Sequence, residues 1–185
     1  MAFIKTAIED VIIFEPRKFE DERGYFFESY NEQLFNENGI DAKFVQDNQS
    51  YSQYGTIRGV HFQTGEFAQA KLVRVLEGKV LDVAVDVRAG SKTFGQHVAV
   101  ELSAENNRQL FVPRGFAHGF SVLSKTATFA YKCDNIYAPN HYGGIAFDDK
   151  ELNIDWKVDL NKAIISEKDK NMASFSEYKN NPAFK

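Results

Sequence analysis

The chain has 185 residues, of which 43% are hydrophobic and 26% charged, the balance expected of one soluble globular domain spanning 1–185. Its formal net charge of −4 argues against the basic stripe of a nucleic-acid binder, while leaving room for a local anion pocket. Cys133 is the single cysteine, so no intrachain disulfide forms, and a reducing cytoplasm suits the chain.

At the N-terminus, Glu9 and Asp10 interrupt the apolar run MAFIKTAIEDVIIFEP, so neither a signal-peptide core nor a membrane segment is predicted there. No later run approaches the roughly 18 apolar residues a membrane helix needs. Asn31 to Glu37 has a cap-like start and ends at Asn38-Gly39, the pattern of a short helix. Phe44-Val45-Gln46 then reads as strand, leading into a polar connection, DNQSYSQYG. Thr56 to Gln63 (TIRGVHFQ) is strand-like, with Arg58 and His61 set among apolar residues. Lys71 to Leu76 and Lys79 to Val87 flank a Glu77-Gly78 turn signal and predict a hairpin; Leu81, Val83, Val85 and Val87 share one face. His97 to Leu102, Gln109 to Val112 and Thr126 to Cys133 follow at the roughly 8 to 12 residue spacing of an all-β sandwich or barrel. From about Asn161 onward the chain is polar and poorly periodic, and short helical turns and coil are expected. With 17 Phe and 8 Tyr favouring pleated surfaces, the prediction is an all-β antiparallel jelly-roll barrel with a few short peripheral helices.

Two histidines stand out. His61 alone is more often a packed strand residue than a catalyst. His118 closes the pattern Pro-x-Gly-x-x-His in Pro113 to Phe120, which resembles the second motif of the cupin jelly rolls. Cupins often bind metal through a His-x-His and a following Glu. Here the matching stretch is His61-Phe62-Gln63, and His61, Glu66 and His118 together fall one ligand short.

Eight collinear segments sharpen this. They are Arg23 to Glu28 (RGYFFE), Phe44 to Asn48 (FVQDN), Arg58 to Gln63 (RGVHFQ), Lys71 to Val75 (KLVRV), Pro113 to Phe120, Tyr131-Lys132, Tyr137-Ala138-Pro139 and Ser166 to Asp169 (SEKD). In this order the chain, from about residue 3 to 172, resembles the dTDP-4-dehydrorhamnose 3,5-epimerase family of the cupin superfamily. The resemblance implies a dTDP-4-keto-6-deoxy sugar substrate and no cofactor or metal. It implies His61 as base, Asp169 as the carboxylate that orients it, Tyr131 as acid on the opposite face, and Lys71 facing the C4 oxygen. Read without it, Tyr131 and Lys71 are an ordinary strand tyrosine and a strand-end lysine. It further implies that Arg23 and Arg58 clamp the pyrophosphate, and that Glu28, Gln46, Asn48, His118 and Lys168 contact the ligand. A homodimer is also implied, in which Arg23 or Glu28 serves the partner's site. The same chemistry leaves open an enzyme inverting one centre, a 3,4-ketoisomerase, or a non-catalytic sugar-binding cupin. Where many members carry an acidic residue after Tyr-Ala-Pro, this chain has Asn140-His141-Tyr142.

One geometric problem remains at this level. Arg58 and His61 are three apart, so strict alternation puts them on opposite faces of a strand. Both reach one pocket only if the strand twists or bulges at Gly59.

Overall fold

Alternating apolar residues through the middle of the chain give strands, and the computed structural model, which describes residues 1–185, has thirteen strands in all. In chain order they are β1 (Ala2–Lys5), β2 (Ile12–Glu15), β3 (Phe19–Asp21), β4 (Gly24–Phe26), β5 (Gln46–Gln53), β6 (Ile57–Gln63) and β7 (Lys71–Glu77). There follow β8 (Lys79–Asp86), β9 (His97–Ser103), β10 (Gln109–Val112), β11 (Phe116–Val122), β12 (Thr126–Cys133) and β13 (Tyr142–Gly144). One sheet has the order β1-β2-β10-β7-β12-β5, a second β13-β6-β11-β8-β9, and β3 pairs with β4 in a separate ribbon. Every pairing between these strands is antiparallel. The three α-helices, α1 (Glu32–Glu37), α2 (Glu167–Lys170) and α3 (Phe175–Asn180), are short and peripheral. This is the all-β jelly-roll architecture expected of a cupin. No helix is long and apolar enough to cross a membrane.

The helix predicted from Asn31 forms because the Asn31 side chain accepts from the Leu34 N–H, and Gly39 takes a left-handed φ of +81° beyond its end. Two other expectations need correction. Lys71 to Glu77 and Lys79 to Asp86 are not a hairpin: β7 lies in the six-stranded sheet and β8 in the five-stranded one. Gly78 (φ +80°) turns the chain between sheets so tightly that a Cβ there would lie 2.1 Å from the Thr126 carbonyl oxygen. The polar connection DNQSYSQYG is also mostly strand. β5 carries Gln46, Asn48, Ser50 and Ser52 on its more buried side and Asp47, Gln49, Tyr51 and Gln53 outward. Its inward residues are polar because they face a polar cavity rather than a core.

Packing occurs in three layers. Between the sheets, a cluster of 16 buried residues includes Val73, Val80, Ala84, Leu110, Phe120 and Phe129. Leu81, Val83, Val85 and Val87 share a face as predicted, and that face is covered by Trp156, Phe175 and Tyr178 of the C-terminal segment. The polar tail thus hides large apolar anchors, each contributing about 1.5–3 kcal/mol by its burial. On the outside of the other sheet, Phe35 of α1 packs with Phe14, Ile40 and Phe111. Beside these layers a cavity remains between the two sheets.

Candidate active site

The cavity has a volume of about 610 Å³ and is walled by both sheets and by the segment that leads into α2. β5, β7 and β12 contribute Asn48, Ser50, Lys71, Phe129 and Tyr131 from one side. β6, β11 and β13 contribute Arg58, His61, His118, Phe120 and Tyr142 from the other. Lys168 and Asp169 of α2 complete the lining. A second cavity of about 360 Å³ adjoins it, sharing Asn48, His61, Lys71, Tyr131 and Tyr142 and adding Gln46, Gln69 and Tyr137.

The parity problem in TIRGVHFQ is solved by a bulge. His61 pairs with His118 and Arg58 with Phe120, so β6 spends Gly59 and Val60 where β11 spends Gly119 alone. The extra residue brings Arg58 and His61 to the same cavity. Glycine is required at the crossing: Gly59 has φ +124°, and a Cβ there would come within 2.4 Å of the Gly119 Cα.

His61 is oriented from the C-terminal segment, 108 residues along the chain, where its Nε2–H donates to Asp169 Oδ1 at 2.7 Å. The backbone N–H of Gly59 donates to the other carboxylate oxygen at 3.4 Å, and Ser166 caps the same turn through its bond from the Asp169 N–H. Burial alone pushes the Asp169 carboxyl up, but its bonds to His61, Gly59 and Ser166 together with the His61 charge hold it below the usual range. His61 itself is pulled below its ordinary value of 6.5, first by burial and then by the positive charge of Lys71 and by His118, against the opposing pull of Asp169. The imidazole is therefore neutral near pH 7, with Nε2–H tied to the carboxylate and Nδ1 carrying the lone pair.

Tyr131 faces the cavity from the opposite sheet, and burial raises its phenol above the ordinary 10.0, so it keeps its proton. The Lys71 ammonium is 6.0 Å from the Tyr131 ring centroid, and burial pulls its pKa down from 10.5. His118 Nε2 meets both oxygens of the fully buried Asp82 at 3.0 Å. Among the lining residues Arg58, Lys71 and Lys168 are cations, and none joins an ion pair; Asp169 is the only carboxylate. A chain with net charge −4 has thus built a positive cavity, which concentrates anions. His61 and His118 are engaged with separate carboxylates, and no group of three or more His, Cys, Asp or Glu side chains is placed to hold a metal.

An imidazole held by a carboxylate, a facing phenol and unpaired cations in one polar cavity are groups able to transfer protons and to hold an anion. The family model described as dTDP-4-dehydrorhamnose 3,5-epimerase matches residues 5–177. The chain belongs to this family. It is 49% identical over 183 residues to a dTDP-4-dehydrorhamnose 3,5-epimerase of Methanothermobacter thermautotrophicus, covering 98% of this chain and 97% of the relative. The crystal structure of the Elizabethkingia anophelis enzyme of that name superposes with a TM-score of 0.92 at 56% identity, covering 96% of this chain and 97% of the other. A Legionella pneumophila dTDP-6-deoxy-D-glucose-3,5-epimerase in complex with dTDP-4-keto-L-rhamnose gives 0.91 at 48%, covering 95% and 93%.

Of the positions that the family resemblance nominates, nine converge here. His61, Lys71, Tyr131, Asp169, Asn48, Arg58, His118 and Lys168 line the main cavity and Gln46 the adjoining one. Gln46 and Asn48 are linked: Gln46 Nε2 donates to Asn48 Oδ1 at 3.2 Å, and Gln46 Oε1 accepts from the Tyr137 N–H. Arg23 and Glu28 are not brought to the cavity. Arg23 sits at the tip of the β3–β4 ribbon, exposed and paired with Asp21. Glu66, weighed above as a metal ligand, lies outside both cavities.

Sequence reasoning missed Asp82, Ser50, Ser52 and the part Tyr142 plays in the wall. Asp82 had a signal: a carboxylate in the middle of VLDVAV is costly unless a partner is buried with it. The serines had one too, in the period-two run QDNQSYSQ. Ser52 Oγ accepts from Arg58 Nε at 3.1 Å and so fixes the guanidinium, while Ser50 Oγ is buried without any partner.

Proposed function

We infer that this chain epimerises dTDP-4-dehydro-6-deoxy-D-glucose at C3 and C5, giving dTDP-4-dehydro-L-rhamnose. The observation that carries the assignment of roles is the neutral, Asp169-held His61 facing a protonated Tyr131 across a cavity with three unpaired cations. His61 Nδ1 takes the proton from the carbon alpha to the C4 ketone. The electron pair moves onto the C4 oxygen, where Lys71 stabilises the enolate as an oxyanion hole does. Tyr131 delivers its proton to the opposite face of that carbon, and both residues then exchange with water. The same cycle at the second alpha carbon completes the inversion. Atoms and electrons balance without an oxidant, a reductant or a metal. Arg58, held by Ser52, and Lys168 take the diphosphate, while Gln46, Asn48 and His118 add hydrogen bonds to the ligand.

Run in heavy water, the reaction is expected to place deuterium at both C3 and C5 of the product, read by NMR. Label at one carbon only would make the enzyme a mono-epimerase. No label with bound substrate would leave a sugar-binding cupin.

Residues 1–185 act as one catalytic unit, and the cytoplasm is its compartment. The lone Cys133 is buried, with its thiol pushed up to about 11 chiefly by burial, so it is a poor nucleophile and fits a reducing compartment. Arg23 and Glu28 act across a homodimer interface. Supporting this, the β3–β4 ribbon exposes Phe19, Tyr25 and Phe26 (49%, 58% and 71%) next to them, an aromatic surface that a second copy would cover. Light scattering is expected to give twice the 21.0 kDa chain mass, and a strict monomer would contradict the assignment.

A further inference from the structure

Tyr142 takes no part in the proton transfers above, yet it stands on the wall that carries the base. It opens β13, pairs with Gln63 of β6 and lines both cavities. Its ring is tilted against the His61 imidazole with centroids 5.0 Å apart. Above the ring sits Lys168 Nζ, 3.2 Å from the centroid. The carboxylates on either side of Lys168 are engaged elsewhere, Glu167 with Lys170 and Asp169 with His61. What orients the Lys168 ammonium is therefore the Tyr142 ring.

We propose that Tyr142 is a positioning residue for anion binding: its ring seats Lys168 at the cavity so that the ammonium meets the substrate's diphosphate beside Arg58. The inference rests on the reading in the preceding section. A free lysine loses rotamer freedom when a ligand fixes it, and a seat prepared beforehand removes part of that cost. A carboxylate could also hold the ammonium, but it would cancel the charge the ligand needs. A π face orients the cation and leaves its charge uncompensated. Burial first, then the nearby Asp169, Tyr137 and Tyr131, push the Tyr142 phenol far up, so the seat stays neutral across the working range.

The test is calorimetric titration of dTDP, which carries the diphosphate but no sugar, into the whole protein and its variants. Tyr142→Leu is expected to weaken dTDP binding about three- to tenfold. Tyr142→Phe, which keeps the ring, restores most of the affinity. Lys168→Met weakens binding as well, and the Y142L/K168M double variant is no weaker than K168M, because the ring acts through the lysine. Wild-type affinity in Y142L would overturn the proposal. So would a double variant as weak as the product of the two single effects, or a Y142F as weak as Y142L. A wild-type protein that binds no dTDP would instead overturn the functional reading itself, so the two failures are told apart.

Discussion

His61→Asn is expected to lower kcat by about 10³-fold, in the range that a positioned general base supplies, and to abolish deuterium uptake at both alpha carbons. Asparagine keeps a polar group of similar reach but has no basic lone pair, so abstraction stops while the cavity stays filled. On the proposed reading Arg58 and Lys168, not His61, hold the diphosphate, so dTDP affinity should change by less than about twofold. The parent enzyme's pH profile checks the same assignment. The base works only when unprotonated, so activity is present above its pKa and lost as pH falls through it. Burial and the Lys71 charge pull that pKa below 6.5, which places the acid limb of kcat/KM under 6.5 and leaves a plateau through neutrality. On the alkaline side Lys71 must keep its proton, and burial has drawn its pKa under 10.5, so activity falls again before an ordinary lysine would titrate. An acid limb at or above 6.5, or exchange surviving in the Asn variant, would remove His61 from the role of base.

The chemistry of this site was legible in the sequence to the extent that residue order carries it. The β-strands of the middle appear because their apolar residues alternate, and α1 appears because Asn31 and Gly39 mark its ends. The pairing of His61 with Asp169 could come only from resemblance, since 108 residues separate them and no local pattern links them. β5 was hidden for a physical reason: hydrophobic periodicity detects strands that face a core, and the inward face of β5 is made of Gln46, Asn48, Ser50 and Ser52. The β7–β8 error has a similar root. A glycine between two strands signals a sharp turn, but whether the chain returns along the same sheet or crosses to the facing one depends on packing around Gly78 that no short window contains. Gly59 went the other way. There the sequence posed a parity conflict between Arg58 and His61 that a twist or a bulge at Gly59 could resolve, and the bulge is what forms.

Tyr131→Phe separates abstraction from delivery. The phenylalanine ring fills the same space beside Phe129, whose centroid is 6.0 Å from that of Tyr131, so only the hydroxyl is lost. The Tyr131 proton is held by burial above the ordinary 10.0, so in the parent enzyme it is present and available to the enolate at neutral pH. Without it, His61 and Lys71, in their proposed roles, are expected still to remove the alpha proton and stabilise the enolate. The acid left on hand is then the imidazolium that has just formed; once its proton has exchanged with solvent, it returns a solvent-derived one to the same face. In heavy water the substrate is therefore expected to gain deuterium with its configuration retained, while net epimerisation falls by about 10²- to 10⁴-fold. NMR of recovered substrate and product measures both quantities in one experiment. Epimerisation near the parent rate would show that the opposite-face acid is another group. Loss of exchange together with epimerisation, with dTDP still bound, would place Tyr131 in the abstraction step instead. Retained exchange without inversion is the outcome that a base and an acid on facing sheets require.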